Sequence, residues 1–220
     1  MFKSVSVIGH GRVGSAVAAR LRERGVAVDA NAAPELVLLC VPDRAIADVA
    51  RSVDPGPWVA HVSGATRLSA LDPHVRRFSV HPLQTIVHGR GPEQLDGAWA
   101  AVTAESEEAR ARGFWLADTL GLRPFELADE ARPLYHAGAA FASGYLVTIY
   151  RAAASLFAAA GAPAESLLPL MRRTIDNGFE LTGPHARGDW PTIEAHRIAI
   201  RDAVPELAEV YDALGEVTRA

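Results

Sequence analysis

The sequence predicts an α/β domain built on a mostly parallel sheet, followed by an all-helical domain. Three observations predict it. Apolar strand-like runs alternate with helical stretches through residues 1–129. From residue 130 the strand signals stop and helical stretches take over, giving a second domain over 130–220. The chain also opens with an apolar, β-branched run, Val5–Ile8, that enters the turn Gly9-His10-Gly11-Arg12-Val13-Gly14 and then an alanine-rich stretch. Strands that read as near-continuous apolar runs suit a parallel sheet covered on both faces.

The opening unit reads as strand Ser4–Ile8, turn, and helix Val13–Arg24. A G-x-G-x-x-G turn between a strand and a helix begins a dinucleotide-binding, Rossmann-type domain, and each glycine has a task. Gly9 permits the tight turn, Gly11 lets the backbone approach a pyrophosphate, and Gly14 lets the helix pack closely on the strand. The free N–H groups at the helix start face the phosphates. Gly9, His10, Gly11, Arg12, Val13 and Gly14 are therefore cofactor-binding candidates.

The second strand, Val26–Asp29, is followed by only six residues before the third, Leu36–Val41. A parallel crossover takes about a dozen residues or more and normally carries a helix. The sheet is thus shortened after its second strand, with a crossover helix and an edge strand missing. Asp29 stands at the distance expected of an acid that binds ribose hydroxyls. That favours NAD over NADP, because a carboxylate repels a 2′-phosphate. A solvated loop residue is the alternative reading of Asp29.

Further strands are expected at Trp58–Val62, Phe78–Val80, Ala98–Thr103 and Arg123–Leu127, with helices at Ala45–Val53 and Glu105–Leu120. Open α/β sheets bind ligands at the carboxyl ends of their strands. Val41, Pro42 and Asp43 end one strand there, and Ser63 and Gly64 end another, so these five join the cofactor-binding set. His81, stiffened by Pro82 at a strand end, is a candidate acid or base near neutral pH. A structural histidine bonded to a loop carbonyl is its alternative.

In the helical half, Pro133–Ala160 reads as one long helix, followed by helices at Ala164–Leu181, Trp190–Asp202 and Val204–Thr218. Asp189 fits an N-cap and Pro191 a first turn. His136, Ala139, Ala140 and Ser143 share one helical stripe. His136 and Ser143 complete the catalytic candidates, and the small residues around them admit a close neighbour. Leu181–Asp189 reads as a polar loop whose Thr182, Arg187 and Asp189 either meet an anionic substrate, seal a dimer, or order the loop.

Composition narrows the function. A net charge of −4 and scattered arginines argue against a nucleic-acid partner. The single cysteine, Cys40, excludes an internal disulfide and a multi-cysteine metal site, and its apolar setting predicts an inert buried thiol. No histidine spacing points to a metal. No signal peptide or membrane-length apolar run is present, which predicts a cytoplasmic protein. Lys3 is the sole lysine, so chemistry that needs a catalytic lysine is excluded.

Six stretches together carry a family resemblance. They are Gly9–Gly14, Val41-Pro42-Asp43, His61-Val62-Ser63-Gly64, His81–Thr85, Tyr135-His136-Ala137 with Phe141-Ala142-Ser143, and Leu181–Pro184 with Ala186–Asp189. The chain resembles short Rossmann-like proteins that carry a C-terminal helical domain of unknown function. These are related to the 6-phosphogluconate dehydrogenase, pyrroline-5-carboxylate reductase and F420-dependent NADP oxidoreductase superfamily. The resemblance implies an oxidoreductase that uses NAD or NADP on a small carbonyl, imine or hydroxy substrate, with the site between the domains. It also implies a homodimer built through the helical domain. Gly144 stands where that family usually has asparagine. The helix lysine of related β-hydroxyacid dehydrogenases has no counterpart here, and His136 is its nearest equivalent by position. His81 is similar in context to the His-Pro segment of prephenate dehydrogenases. The alternative is a non-catalytic ligand-binding or scaffold dimer with a degraded cofactor pocket.

Overall fold

The computed structural model describes residues 1–30 and 33–219. The chain divides into two compact units, Met1–Ala140 and Phe141–Ala220. In the first unit the elements run β1 (Ser4–Ile8), α1 (Arg12–Glu23), β2 (Ala27–Val28), β3 (Leu36–Leu39), α2 (Ile46–Arg51), β4 (Trp58–His61), β5 (Arg77–Leu83), β6 (Trp99–Ala104), α3 (Glu107–Thr119), β7 (Arg123–Glu126) and α4 (Arg132–Ala140).

Among the described residues the strands form one sheet in the order β2-β1-β3-β4-β5-β6-β7. All neighbours are parallel except β5 and β6. The order reverses between β1 and β3, which opens a crevice at the carboxyl edge of the sheet. Strand side chains alternate between the two faces. Val5, Val7, Leu38, Phe78 and Val102 face Val17 and Leu21 of α1, Leu116 of α3 and Leu120 at its C-cap. Val37, Leu39 and Val59 face Ile46 and Ala50 of α2.

Two close backbone approaches shape the glycine turn. Gly9 has φ +102°, and a Cβ there would sit 2.5 Å from the Cys40 carbonyl oxygen. A Cβ on Gly14 would sit 1.8 Å from the Gly9 carbonyl oxygen. The first turn of α1 therefore rests directly on the end of β1. Gly11 differs: a Cβ there meets nothing within 4 Å.

The shortened crossover is built from polar contacts. The second strand is two residues long, not the four expected, because Asp29 turns into the left-handed region at φ +56°. Its carboxylate Oδ1 then accepts the Val7 N–H at 2.9 Å, taking over the acceptor role a longer strand would supply. Ser4 and Ser6 lie on the face that a crossover helix would cover. The Ser4 hydroxyl accepts the Glu35 N–H at 3.2 Å, and the Ser6 hydroxyl lies 3.4 Å from Asp29 Oδ1. Asn31 and Ala32, in the expected short segment, lie outside the described residues.

The second unit is helical. The expected single helix over Pro133–Ala160 is interrupted by a π-helical turn at Phe141–Tyr145, followed by α5 (Leu146–Ala159). The weak helix formers Ser143 and Gly144 lie in the widened turn, where π-bulges occur at little cost. Then come α6 (Leu167–Asp176), α7 (Pro184–Arg187), α8 (Trp190–Ala203) and α9 (Ala208–Arg219). The short α7 replaces part of the expected loop. Pro184 occupies its first turn and Gly188 closes it at φ +64°. Asp189 caps α8 by accepting the Thr192 N–H at 3.3 Å and hydroxyl at 2.8 Å. Among the described residues no helix is long and apolar enough to cross a membrane.

Substituting Gly14→Ala drives a methyl into the Gly9 carbonyl. We expect a loss of about 2–3 kcal/mol in urea unfolding. Unchanged stability would show that the helix start can retreat from β1.

Candidate active site

The candidate residues of the first unit gather at the carboxyl edge of the sheet in two groups. The first is the glycine turn after β1, beside Val41, Pro42 and Asp43 after β3. Gly9 packs on the Cys40 carbonyl and the Val41 side chain. Gly11 is the N-cap of α1, and no side chain caps the first N–H groups of the helix. No acidic residue occupies its first turn, and Arg12 is exposed there. His10 is exposed too, with its carbonyl accepting the Ser15 hydroxyl at 3.0 Å. Uncapped helical N–H groups beside an open glycine fit an anion such as a pyrophosphate. Asp29 lies at the end of β2, where a ribose-binding acid is expected. Its Oδ2 lies 3.6 Å from Arg22.

The second group stands two strands along the same edge, roughly 10 Å away by strand spacing. Ser63 and Gly64 follow β4. The Ser63 hydroxyl is turned into its own loop, accepting the Thr66 N–H at 3.0 Å and lying 2.9 Å from the Thr66 hydroxyl. Gly64 has no room for a side chain. A Cβ would fall 2.5 Å from His136 Cδ2 and 2.8 Å from His81 Nε2. The two imidazoles lie edge to face at 6.0 Å over this glycine. His81 comes from β5 and His136 from α4. Tyr135, one residue earlier on α4, places its Oη 2.8 Å from His81 Nδ1.

What holds α4 on the sheet is Arg132, which is fully buried. Its Nη1 donates to the Thr103 hydroxyl at 2.8 Å, and its Nη2 donates to the Ser63 carbonyl. The Thr103 hydroxyl in turn donates to the Leu127 carbonyl at 2.9 Å. The strand register lines up His61, Ser79 and Thr103 side by side on the same face. All three are buried. Among the described residues His61 Nε2, Ser79 Oγ and Arg132 Nε find no hydrogen-bond partner.

The electrostatics follow from this burial. His81 is pushed down to about 4 by desolvation, with smaller contributions from His136 and Arg132. His61 is pushed down to about 3 by desolvation and by Arg132. Burial raises Tyr135 to about 12, against the pull of Arg132. At neutral pH His61 and His81 are therefore uncharged, Tyr135 keeps its proton and Arg132 is a cation. Cys40, after β3, is raised to about 12 by burial, so its thiol is inert.

Ser143 belongs to the second unit, in the π-helical turn, and is partly buried. Among the described residues no group of three His, Cys, Asp or Glu could hold a metal ion. A surface cavity of about 830 Å³ is lined by Met1, Phe2, Glu35, Asp54, Trp58 and Arg112 among others. It lies mainly around the amino-terminal ends of the strands and contains no histidine, so we place the chemistry at the carboxyl edge instead.

A family described as a domain of unknown function (DUF2520) matches residues 98–218, more than half of the chain. The chain belongs to this family. No curated protein sequence matches it. Solved structures share its fold, three of them as follows. A candidate NADP oxidoreductase of Bacteroides fragilis, BF3122, is 22% identical with a TM-score of 0.83, covering 99% of this chain and 98% of its own. Protein TM1727 of Thermotoga maritima is 22% identical with a TM-score of 0.78, covering 98% and 96%. The 1-pyrroline-5-carboxylate reductase of Streptococcus pyogenes is 16% identical with a TM-score of 0.62, covering 98% of each chain. The DUF2520 match begins at residue 98, so it takes in β6 and β7 of the first unit as well as α4 and the helical unit. Arg132, Tyr135 and His136 all fall inside it.

Arg132 escapes a reading of the sequence, and Tyr135 enters it only within the stretch Tyr135-His136-Ala137, because their roles depend on α4 lying across β5 and β6. A signal did exist in the strands. His61, Ser79 and Thr103 are polar residues at inward positions of otherwise apolar strands.

Both low-lying imidazoles bind a proton less readily in the folded chain than in the unfolded one. The unfolded chain therefore takes up more protons as the pH falls from about 6.5 to about 4 for His81 and to about 3 for His61. Stability is lost through that window. We expect the melting temperature to fall steadily over it, and the His81 ring proton to titrate near pH 4 by NMR. A His81 midpoint near 6.5 would contradict the burial described here.

Proposed function

We propose that this protein is an NAD(P)-dependent oxidoreductase acting on a small carbonyl, imine or hydroxy substrate. One observation carries the reading. An intact glycine turn with an uncapped helix start shares the carboxyl edge of a parallel sheet with an imidazole pair packed on Gly64. The fold likeness to the candidate NADP oxidoreductase and to pyrroline-5-carboxylate reductase supports it. Gly9, Gly11, Gly14 and the first N–H groups of α1 would hold the pyrophosphate, with His10, Arg12, Val13, Val41, Pro42 and Asp43 around it. A nicotinamide bound there supplies or accepts hydride. The chain's own residues orient the substrate and move its proton. His81 and His136, over Gly64, are the acid/base groups, and Ser143 is the remaining candidate.

Asp29 supports NAD over NADP, because its carboxylate stands where a 2′-phosphate would come, although Arg22 faces it. The exposed apolar side chains of the second unit support a homodimer through the helical domain. Among its described residues only Leu167, Ile193, Ile200 and Val204 are buried hydrophobics. Phe141, Leu146, Val147, Ile149, Leu170 and Leu214 are exposed, more apolar surface than a free monomer usually presents. A second copy of the chain would cover them.

Calorimetric titration with NAD, NADH, NADP and NADPH tests the cofactor reading. We expect NADH to bind about tenfold more tightly than NADPH. No binding at millimolar cofactor sinks the oxidoreductase reading and favours a scaffold dimer. Gly11→Val is the matching variant. Open space at Gly11 leaves its melting temperature unchanged, while the side chain obstructs the phosphates and binding is lost. Light scattering at micromolar concentration should give twice the chain mass, and a monomer mass would refute the dimer.

A further inference from the structure

The imidazole of His81 is placed to give a proton only if it receives one. At neutral pH it is uncharged, so it has a single N–H. Its Nδ1 lies 2.8 Å from the Tyr135 oxygen. A phenol is a stronger donor than acceptor, and an imidazole nitrogen accepts better than its N–H donates. The bond therefore runs from Tyr135 Oη–H to His81 Nδ1, which leaves the His81 proton on Nε2. That edge of the ring faces Gly64, where only the absence of a side chain leaves it room.

We propose that Tyr135 is the proton reservoir behind His81, forming a two-step relay that delivers a proton to the substrate oxygen over Gly64. The proposal rests on the oxidoreductase reading and adds a residue to it. As a hydride from a dihydronicotinamide reaches the substrate carbonyl carbon, the C=O π bond breaks and its electron pair goes to oxygen. The oxygen takes the proton of His81 Nε2. His81 Nδ1 takes the proton of Tyr135 Oη, so the imidazole stays neutral throughout and only its tautomer changes. The phenolate left behind is a weaker base than an alkoxide, which gives the transfer its direction. It stands one helical turn from the Arg132 guanidinium, whose charge stabilises it, and water reprotonates it. Arg132 lacks an ion-pair partner among the described residues; Asp129 and Asp43 act on it only at longer range. The groups facing His81 are Tyr135, His136 and Arg132 of α4 and His61 of β4. Tyr135 works through His81, so it is a positioning and relay residue rather than one that touches substrate.

The test reads the His81 tautomer directly, by long-range ¹H–¹⁵N NMR of the full chain at pH 7 without cofactor. We expect a bare Nδ1 and a protonated Nε2. In Tyr135→Phe the ring still packs on Phe125 and His81, so the melting temperature stays close to that of the parent. The Nδ1–H form of His81 should rise about fivefold, the ratio that one hydrogen bond sustains. A protonated Nδ1 in the parent, or an unchanged tautomer in Tyr135→Phe, overturns the relay. With NADH binding intact, either result removes the relay alone. Absence of NADH binding with the expected tautomer instead overturns the oxidoreductase reading, and the proton delivery falls with it.

Discussion

The guanidinium of Arg132 ties α4 to the sheet, and the candidate site depends on that tie. Its two bonds reach different strands: the carbonyl of Ser63 after β4 and the hydroxyl of Thr103 on β6. A buried cation keeps its place only while its hydrogen bonds hold, because releasing it strands the charge in a poor dielectric. The helix therefore has one register on the sheet. Tyr135 and His136, three and four residues further along, follow from that register. They come to rest over His81 and Gly64. Burial keeps His61 and His81 uncharged, and the Arg132 charge adds to that effect.

The two ends of the candidate site impose opposite demands on glycine. Gly9 and Gly14 are required by backbone touching backbone, and Gly64 by backbone touching imidazole. Gly11 is required by nothing in the folded chain, and in this it resembles Gly138, Gly144 and Gly183. What sets Gly11 apart is its place at the uncapped start of α1.

Much of the first unit was legible in the sequence. The strands were readable as apolar runs, and Ser4–Ile8 has the bounds expected. The shortened crossover was visible as a count of residues between Asp29 and Leu36. Its stabilisation was not, because Asp29 replaces main-chain pairing with a carboxylate in a left-handed conformation, which no periodicity reports. His81 and His136 were readable as candidates, but Tyr135 and Arg132 emerge only once α4 is laid over the sheet. In the helical unit the longer helices were legible from spacing, while the short α7 lies in a segment that reads as a loop. The π-helical turn at Phe141–Tyr145 was not, since wide and ordinary helical turns share almost the same apolar period.

The truncation after β2 also governs how this sheet meets other chains. An open sheet edge offers unpaired backbone groups to any passing strand. Here one edge is a strand of only two residues, closed by the charged, kinked Asp29. The opposite edge, β7, carries Pro124, which cannot donate, between the exposed Arg123 and a sequence ending in the exposed Glu126. Both rims are thereby protected against runaway strand addition. The short crossover thus leaves a smaller sheet whose two rims resist the addition of further strands.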